Sequence, residues 1–425
     1  MKDVNAKAVN AKAANAEEAA SPRRSPLLPI FLIVMVDVLG LTIILPLLPF
    51  YAERLGASPT VVGLLVSTYA ACQLVAGPLL GQMSDRVGRR PLLLVSQMGT
   101  FIGFLMLAWA GSAGLLWMVF LSRVIDGVTA GNLSLAQAYI SDVTLPEERA
   151  KSFGVIGVAF GIGFLIGPAI SGFLSTLGYE YPIFAAAALS AASILSTYFL
   201  LPAAPVVPES EKRGGPVPPA GRRLRVLDWG NYATYFKRPV LAQSLWQFFA
   251  FAFAFAIFMS GFALFAERRY TWNGHPFGVK EVGLVFAYVG FLGIILQGGL
   301  IGRLVRRFGE EKLVASGFLS ATVGFGLMGF TYRLPGLLVA SSIASFGTGI
   351  LRPALTSLIT QRAGREEQGV VLGLTQSLMS VAQIIGPVIA GHLIDRQLLT
   401  SWALVGAAAS GMGILIGRFK PAAAS

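Results

Sequence analysis

The chain has 425 residues, of which 55% are hydrophobic and only 13% charged, with a mean hydropathy of +0.69, and this composition excludes an ordinary soluble globular domain. Its 33 Lys and Arg against 21 Asp and Glu give a net charge of +12. The basic residues form short clusters at the ends of apolar runs, not one groove with interleaved aromatics, which argues against nucleic acid as a partner.

Residues 1–26 contain the repeat Val4-Asn-Ala-Lys-Ala8 and Val9-Asn-Ala-Lys-Ala13, then Ser21-Pro-Arg-Arg-Ser-Pro26, without an apolar stretch. A disordered polar tail is expected there, not a cleavable signal. Twelve apolar segments follow: Leu27 to Ala52, Thr60 to Ser84, Pro91 to Ala110, Leu115 to Ile140, Ser152 to Leu177, Pro182 to Leu201, Pro239 to Ala266, Val282 to Gly302, Leu313 to Thr331, Pro335 to Ile359, Gly369 to Ile394 and Leu398 to Ile416. Each is close to the roughly 20 residues a helix needs to cross a hydrocarbon core. With the amino terminus inside, the inner linkers and both tails hold 25 of the 33 basic residues, and the outer loops hold 6 (Arg54, Arg268, Arg269, Lys280, Arg333 and Arg396). Both termini are therefore expected in the cytoplasm, with the protein in the plasma (inner) membrane. A lone Cys72 in the second span offers no disulfide within one chain.

Residues 202–238 break the apolar pattern with Pro202, Pro205, Pro208, Pro216, Pro218 and Pro219 among basic residues, which predicts a cytoplasmic linker between six-helix halves at 27–201 and 239–425. The halves repeat. Gly154, Gly167-Pro168 and Gly172 recur 219 positions later as Gly373, Gly386-Pro387 and Gly391, as Glu147-Glu148 does at Glu366-Glu367. At an offset of 221, Gly81 and Gly88 correspond to Gly302 and Gly309. Internal repeats of this kind build alternating-access carriers.

The loop Gly81-Gln-Met-Ser-Asp85-Arg86-Val-Gly88-Arg89-Arg90 lies between the second and third spans. It resembles the corresponding loop of the major facilitator superfamily, G-x-L-x-D-R-x-G-R-R, with Met83 in place of Leu. Its second copy, Gly302-Arg-Leu-Val-Arg306-Arg307-Phe-Gly309, carries Arg306 where the first has Asp85. Three further stretches look like the signature set of twelve-helix drug/proton antiporters. They are Asp37-Val-Leu-Gly40 leading into Leu45-Pro46-Leu-Leu-Pro49, Arg123-Val-Ile-Asp126-Gly127, and Gly163-Phe-Leu-Ile-Gly167-Pro168-Ala-Ile-Ser171-Gly172. Within that group the chain is most similar to the tetracycline-efflux branch, by Tyr139-Ile-Ser-Asp142, Leu296-Gln297-Gly298 and Pro353-Ala354-Leu355. The resemblance implies an all-α membrane protein of twelve helices in two pseudo-symmetric bundles, acting as a monomer on a small molecule and protons, without a cofactor. It also implies a gating cluster of Asp85, Arg89 and Asp142, together with Gly81, Arg86, Gly88 and Arg90, that clamps the cytoplasmic side shut.

Charged side chains inside spans are costly and mark function. Asp37 lies about 15 Å into the first span, Arg123 about 12 Å into the fourth and Asp126 one turn further. Asp37 is the expected proton carrier with Arg123 as its modulating partner, and Asp126 is a second candidate. The structural alternatives are an ion pair of Arg123 with Asp37 or with Asp126 at i, i+3. Arg352, about 22 Å from the outer end of its span, is within snorkelling reach of inner water. It also joins the candidate substrate contacts Gln243, Trp246, Gln247, Gln297, Gln376 and Gln383, since an intramembrane amide avoids lipid. Most of the seventh span's phenylalanines are expected to pack or face lipid.

The tetracycline carriers' third-helix Asp, eighth-helix His and ninth-helix Asp align with Gly103, Gly293 and Ala321, which makes tetracycline itself a doubtful substrate. No G-x-x-x-x-G-K-[ST] occurs in the chain, so ATP hydrolysis is not expected and a gradient must supply the energy. The expected function is export of amphipathic organic compounds in exchange for protons. A carrier of one small organic anion, with Arg123 and Arg352 as ligands, and a non-transporting receptor on the same fold are the rivals.

Overall fold

The computed structural model describes residues 27–143, 149–201, 229–364 and 367–418. The amino-terminal tail, most of the expected linker and the pair Glu147-Glu148 lie outside them. Almost everything described is helical, as lipid requires: hydrocarbon offers no partner to a backbone N–H or C=O, and a helix bonds all of them within one segment.

In chain order the helices are α1 (Leu27–Arg54), α2 (Pro59–Val87), α3 (Arg89–Ala113), α4 (Leu116–Val128), α5 (Asn132–Val143), α6 (Arg149–Leu174) and α7 (Glu180–Leu200) before the linker. After it come α8 (Trp229–Phe236), α9 (Pro239–Arg269), α10 (Val279–Ile295), α11 (Ile301–Phe308), α12 (Glu310–Met328), α13 (Leu334–Arg362), α14 (Gln368–Asp395) and α15 (Leu399–Arg418). A two-residue β-hairpin, Thr271–Trp272 with His275–Pro276, turns the chain from α9 to α10. Its turn residues Asn273 and Gly274 have φ of 50° and 83°, the geometry of tight hairpins.

Two expected spans are interrupted. The fourth, expected as one run from Leu115 to Ile140, is α4 and α5 separated at Thr129–Gly131. Ser96 Oγ of α3 holds the break, donating to the Thr129 carbonyl and accepting from Gly131 N at 2.9 Å. The eighth is α10 and α11 joined by a π-helical turn over Leu296–Leu300, where Gln297, Gly298 and Gly299 are exposed. The repeat detected in the sequence reappears in the backbone. Gly88 between α2 and α3 has φ 104° and ψ 153°, and Gly309 between α11 and α12 has φ 77° and ψ 159°. Only glycine adopts that region readily, and it lets each pair of helices reverse in a single residue.

The two halves of the chain meet along α2 with α14 and α6 with α10, and glycines report how closely. We call the end bearing the linker the linker end and the opposite end the far end. Near the far end, a Cβ added to Gly63 of α2 would fall on the Pro387 carbonyl, and one on Gly391 of α14 on the Pro59 carbonyl. On the other seam, a Cβ on Gly290 of α10 would lie 2.6 Å from the Phe164 carbonyl of α6. Ser67 Oγ donates to Ile384 O at 2.6 Å and Thr60 Oγ1 to Asp395 Oδ2 at 2.6 Å across the first seam. Toward the linker end the same helices part: Gly77 and Gly81 of α2, Gly369 and Gly373 of α14, Gly157 of α6 and Gly298 of the π turn would meet nothing within 4 Å. The halves are closed at the far end and open at the linker end.

Within the second half, α9 is the central post. Phe258 meets Phe262, Phe286 and Phe325, and Trp402 stacks on Phe265 with ring centroids 4.4 Å apart. The expectation that Gln243 and Gln247 line the cleft is corrected here. Gln243 Nε2 donates to Ile416 O at 2.8 Å and Gln247 Nε2 to Gly413 O at 3.1 Å, which ties α9 to α15. Trp246 between them is 50% exposed and packs on Phe236 and Phe249. A helix buried on most faces leaves its amides nowhere to go but a neighbour's carbonyls, and a span sequence does not say which neighbour.

Gln247→Ala should therefore lower stability in detergent by about 0.5–1.5 kcal/mol, the net worth of one hydrogen bond, with no change in affinity for a transported compound. Thermal unfolding and equilibrium binding on one preparation check it; lost affinity at unchanged stability would return Gln247 to the cleft.

Candidate functional site

The fifth span's glycine pattern sets the position of Asp37. A Cβ on Gly163 of α6 would meet Val38 Cγ1 at 2.5 Å, and one on Gly167 would fall on Thr42 Oγ1. Thr42 Oγ1 donates to Gly163 O at 2.9 Å. The two glycines thus seat α1 against α6 within about a turn and a half of Asp37. The other end of the pattern reaches across to the second half: a Cβ on Gly172 would lie 3.0 Å from Lys280 Cα, and one on Gly283 of α10 would fall on the Pro168 carbonyl. At Gly163, Gly167, Pro168 and Gly172 one helix touches both α1 and the seam with α10.

Asp37 is only partly exposed, with Ser193 of α7 and Asn132 of α5 as its hydrogen-bonding neighbours and Asp126 near enough to repel it. Among the described residues no cation pairs with it. Arg123 instead takes Asp126, Nη1 to Oδ2 at 3.2 Å, in a pair whose members are 5% and 6% exposed. Of the two structural alternatives, the i, i+3 pair is the one formed. Thr100 Oγ1 of α3 adds a bond to Asp126 Oδ1 at 2.9 Å. Arg123 Nη2 and Asn132 Oδ1 are buried without a hydrogen-bond partner among the described residues. Tyr69 of α2, whose hydroxyl accepts from Gln73 Nε2 at 3.2 Å, lies within electrostatic reach of Asp37, Arg123 and Asp126. Gln97 Nε2 of α3 bonds Ser193 Oγ at 2.7 Å. Asp126 is compensated on both oxygens, and Asp37 has only neutral donors.

Tyr69, Gln97, Thr100, Asn132 and Ser193 are the members sequence reasoning missed. Their signal was weak: single neutral polar residues in spans, of which most merely bond the preceding turn. Gly103, where the tetracycline carriers have Asp, lies against this cluster, since a Cβ there would be 3.3 Å from Asp126 Cβ. Ala321 is buried between helices, and the position of Gly293 is open.

The candidate substrate contacts divide. Gln297 and Gln376 are exposed, and Gln383 is partly so. Arg352, two-thirds of the way along α13, is exposed and has no ion pair among the described residues. Val339, Phe346 and Pro353 recur at seven-residue spacing as the exposed apolar strip of that helix. Arg352 lies on a different face, with Ser345, Thr348 and Gly349 one to two turns before it. Ser345 Oγ bonds Val289 O at 3.5 Å and a Cβ on Gly349 would lie 2.8 Å from Leu296. That face borders α10 and the π turn of the same half.

At the linker end, Arg89 Nη2 binds Asp85 Oδ1 at 2.7 Å, and its Nε binds Asp142 Oδ2 at 2.9 Å. Arg90 donates to the Tyr198 carbonyl and Arg86 is exposed. The cluster assembles as the resemblance implies, but every partner belongs to the first half and the cluster is intact while this end is open. The expected clamp is therefore corrected: these bonds brace α2, α3 and α5 and do not by themselves hold the halves together. The second half is braced differently, by Arg362 with Glu311 at 2.7 Å and by Arg238 on both oxygens of Glu367 at 2.6 and 2.8 Å. The Arg238 hydrogen bonds hold the Glu367 carboxyl below its ordinary range.

A family model described as Major Facilitator Superfamily matches residues 30–387 and again 298–422. Tetracycline resistance protein, class B, of Escherichia coli is 30% identical over 370 residues, 86% of this chain and 88% of that protein. Multidrug resistance protein 2 of Bacillus subtilis is 28% identical over 370 residues, with 86% and 88% covered. Among solved structures, the human organic anion transporter MFSD10 (TETRAN) superposes with a TM-score of 0.67 at 23% identity, covering 94% of this chain and all of that one. A bacterial homologue of the human lysosomal transporter Spinster, inward-facing and unoccupied, gives 0.72 at 17% identity, covering 94% and 98%. The fold and the sequence matches agree: the chain belongs to the major facilitator superfamily, as a multi-pass membrane transporter and not an enzyme, related to tetracycline and multidrug efflux proteins.

Proposed function

We propose that the protein exports amphipathic organic compounds from the cytoplasm in exchange for protons by alternating access, with both termini and the linker end on the cytoplasmic side. The observation that carries this reading is Asp37, a partly exposed carboxyl group within the first half with neutral donors and no cation partner among the described residues. A carboxylate held by neutral donors away from bulk water is expensive to keep charged, whereas Asp126 is stabilised by Arg123 and Thr100. Asp37 is therefore the group that takes and gives up a proton. Asp126 and Arg123 are the fixed pair beside it, and the unpartnered Arg123 Nη2 is the donor free to engage the Asp37 carboxylate once its proton leaves. Substrate enters from the open linker end, and the cleft closes behind it as α2 swings toward α14 and α6 toward α11. The exposed positions at the linker ends of those helices support such a movement.

Asp37→Asn should abolish transport driven by a pH gradient in proteoliposomes while substrate counterflow persists, because the cavity is unchanged and only the exchangeable proton is gone. Gradient-driven export at the wild-type rate by that variant would reject Asp37 as the carrier.

Arg352 favours a second reading, that the compounds carried are organic anions. An exposed guanidinium within a span, without an acid among the described residues, is a ready partner for a carboxylate or phosphate. On this reading Arg352→Gln should weaken binding of an organic-anion probe such as carboxyfluorescein by about 1.5–3 kcal/mol, the worth of a charge-assisted hydrogen bond. A cationic dye such as ethidium should bind as before. Equal affinity of the wild type and Arg352→Gln for the anion in a fluorescence titration would leave the drug-exporter reading alone.

A further inference from the structure

Far-end closure is polar as well as steric. Arg268 of α9 places Nη2 2.6 Å from Oε1 of Glu53 of α1, which belongs to the other half and lies 215 residues away in the chain. Its Nη1 lies 2.8 Å from Oε2 of the adjacent Glu267 and 3.2 Å from Leu264 O. The three charged side chains are between 18% and 31% exposed, so water screens them only partly. The neighbouring cations are occupied elsewhere. Arg54 lies over the Tyr179 ring at 5.5 Å, and Arg269 bonds Gly329 O and Thr400 Oγ1 and stacks on Tyr332. Two carboxylates therefore share one guanidinium, and only one of them comes from across the seam.

That division has a mechanical consequence. Parting the halves at the far end breaks Arg268–Glu53 but cannot separate Arg268 from Glu267, its neighbour on the same helix. Glu267 also repels Glu53, so its charge opposes closure while it shelters Arg268 after opening. We propose that Glu53, Arg268 and Glu267 are the far-end gate of the transport cycle, with Glu53 the latch and Glu267 the resident counter-ion that keeps Arg268 paired when the latch releases. The proposal rests on the alternating-access reading above. It assigns opposite roles to two glutamates that share one arginine.

Opposite roles predict opposite effects. With Cys72 replaced by Ala, spin labels on Leu177 in the α6–α7 loop and Trp272 in the hairpin report the far-end separation of the halves. Glu53→Gln should raise the ratio of far-end-open to far-end-closed molecules roughly tenfold, the effect of removing one charge-assisted hydrogen bond. Glu267→Gln should lower that ratio, by several-fold, because opening now leaves Arg268 unpaired and closure is no longer opposed. In an Arg268→Gln background the opposition should disappear, because only the repulsion between the two glutamates is left and either change relieves it toward closure; both glutamine variants keep side-chain volume, so folding is checked by gel filtration of the same samples. Shifts of the two variants in one direction, or no shift in either, would overturn the gate and leave the cluster a structural brace. Substrate flux measured in the same proteoliposomes reports on transport separately: flux without opposed shifts rejects the gate alone, and opposed shifts without flux reject the transport reading and leave the latch standing.

Discussion

Hydrocarbon supplies no hydrogen bonds and no hydrophobic drive between helices, so contact between helices here depends on how closely their backbones approach. Small residues set that distance. Along α2 with α14 and α6 with α10, glycines at the far end let carbonyls of the opposing helix occupy the place of a side chain. Dispersion falls off within an ångström or so, so such a seam is either fully formed or contributes little. Two seams of this kind, closed at one end and parted at the other, fit the rocking motion that the proposed alternating access requires.

The fifth span shows how one sequence pattern serves several requirements at once. Gly163 and Gly167 admit α1 closely enough for Thr42 to bond the Gly163 carbonyl, and Pro168 offers its carbonyl to Gly283 of the other half. Pro168 cannot donate from its own nitrogen, which loosens the helix where it must fit two neighbours of different orientation. A substitution at any of these positions would disturb Asp37 and the seam together. That explains why a ten-residue stretch can look like the mark of a mechanism although none of its side chains is charged.

Much of this was legible from periodicity and composition. Apolar runs of span length fixed most helices, and the offset of glycines and prolines disclosed a repeat that Gly88 and Gly309 reproduce in backbone angles. Charges inside spans pointed to Asp37, Arg123 and Asp126, which do share one cluster. What failed has a common cause. The break at Thr129–Gly131 and the π turn at Leu296–Leu300 are decided by Ser96 and by packing on α13, not by local propensity. Gln243 and Gln247 were read as cleft residues because amides avoid lipid, but a neighbouring helix carbonyl satisfies an amide as well as a cleft does. Which of the two it finds depends on helix rotation, and a span that is apolar on all faces does not encode rotation in its pattern. The Asp85, Arg89 and Asp142 cluster assembled as the resemblance implied, but a motif states which groups meet, not in which conformational state.

The two halves, though built as a repeat, have diverged in what they hold. The first keeps both intramembrane acids and concentrates neutral donors around them, from Tyr69, Gln97, Thr100, Asn132 and Ser193. The second fills its interior with the Phe258, Phe262, Phe286 and Phe325 cluster and leaves Arg352 exposed on α13. Buried charge is thereby concentrated in one half and aromatic packing in the other. On the proposed reading, a proton arriving at Asp37 changes the charge of the first half alone and leaves the aromatic core of the second untouched. In a symmetric carrier the same change would fall on both halves. Divergence on a duplicated scaffold therefore lets one half respond to a proton while the other keeps its packing.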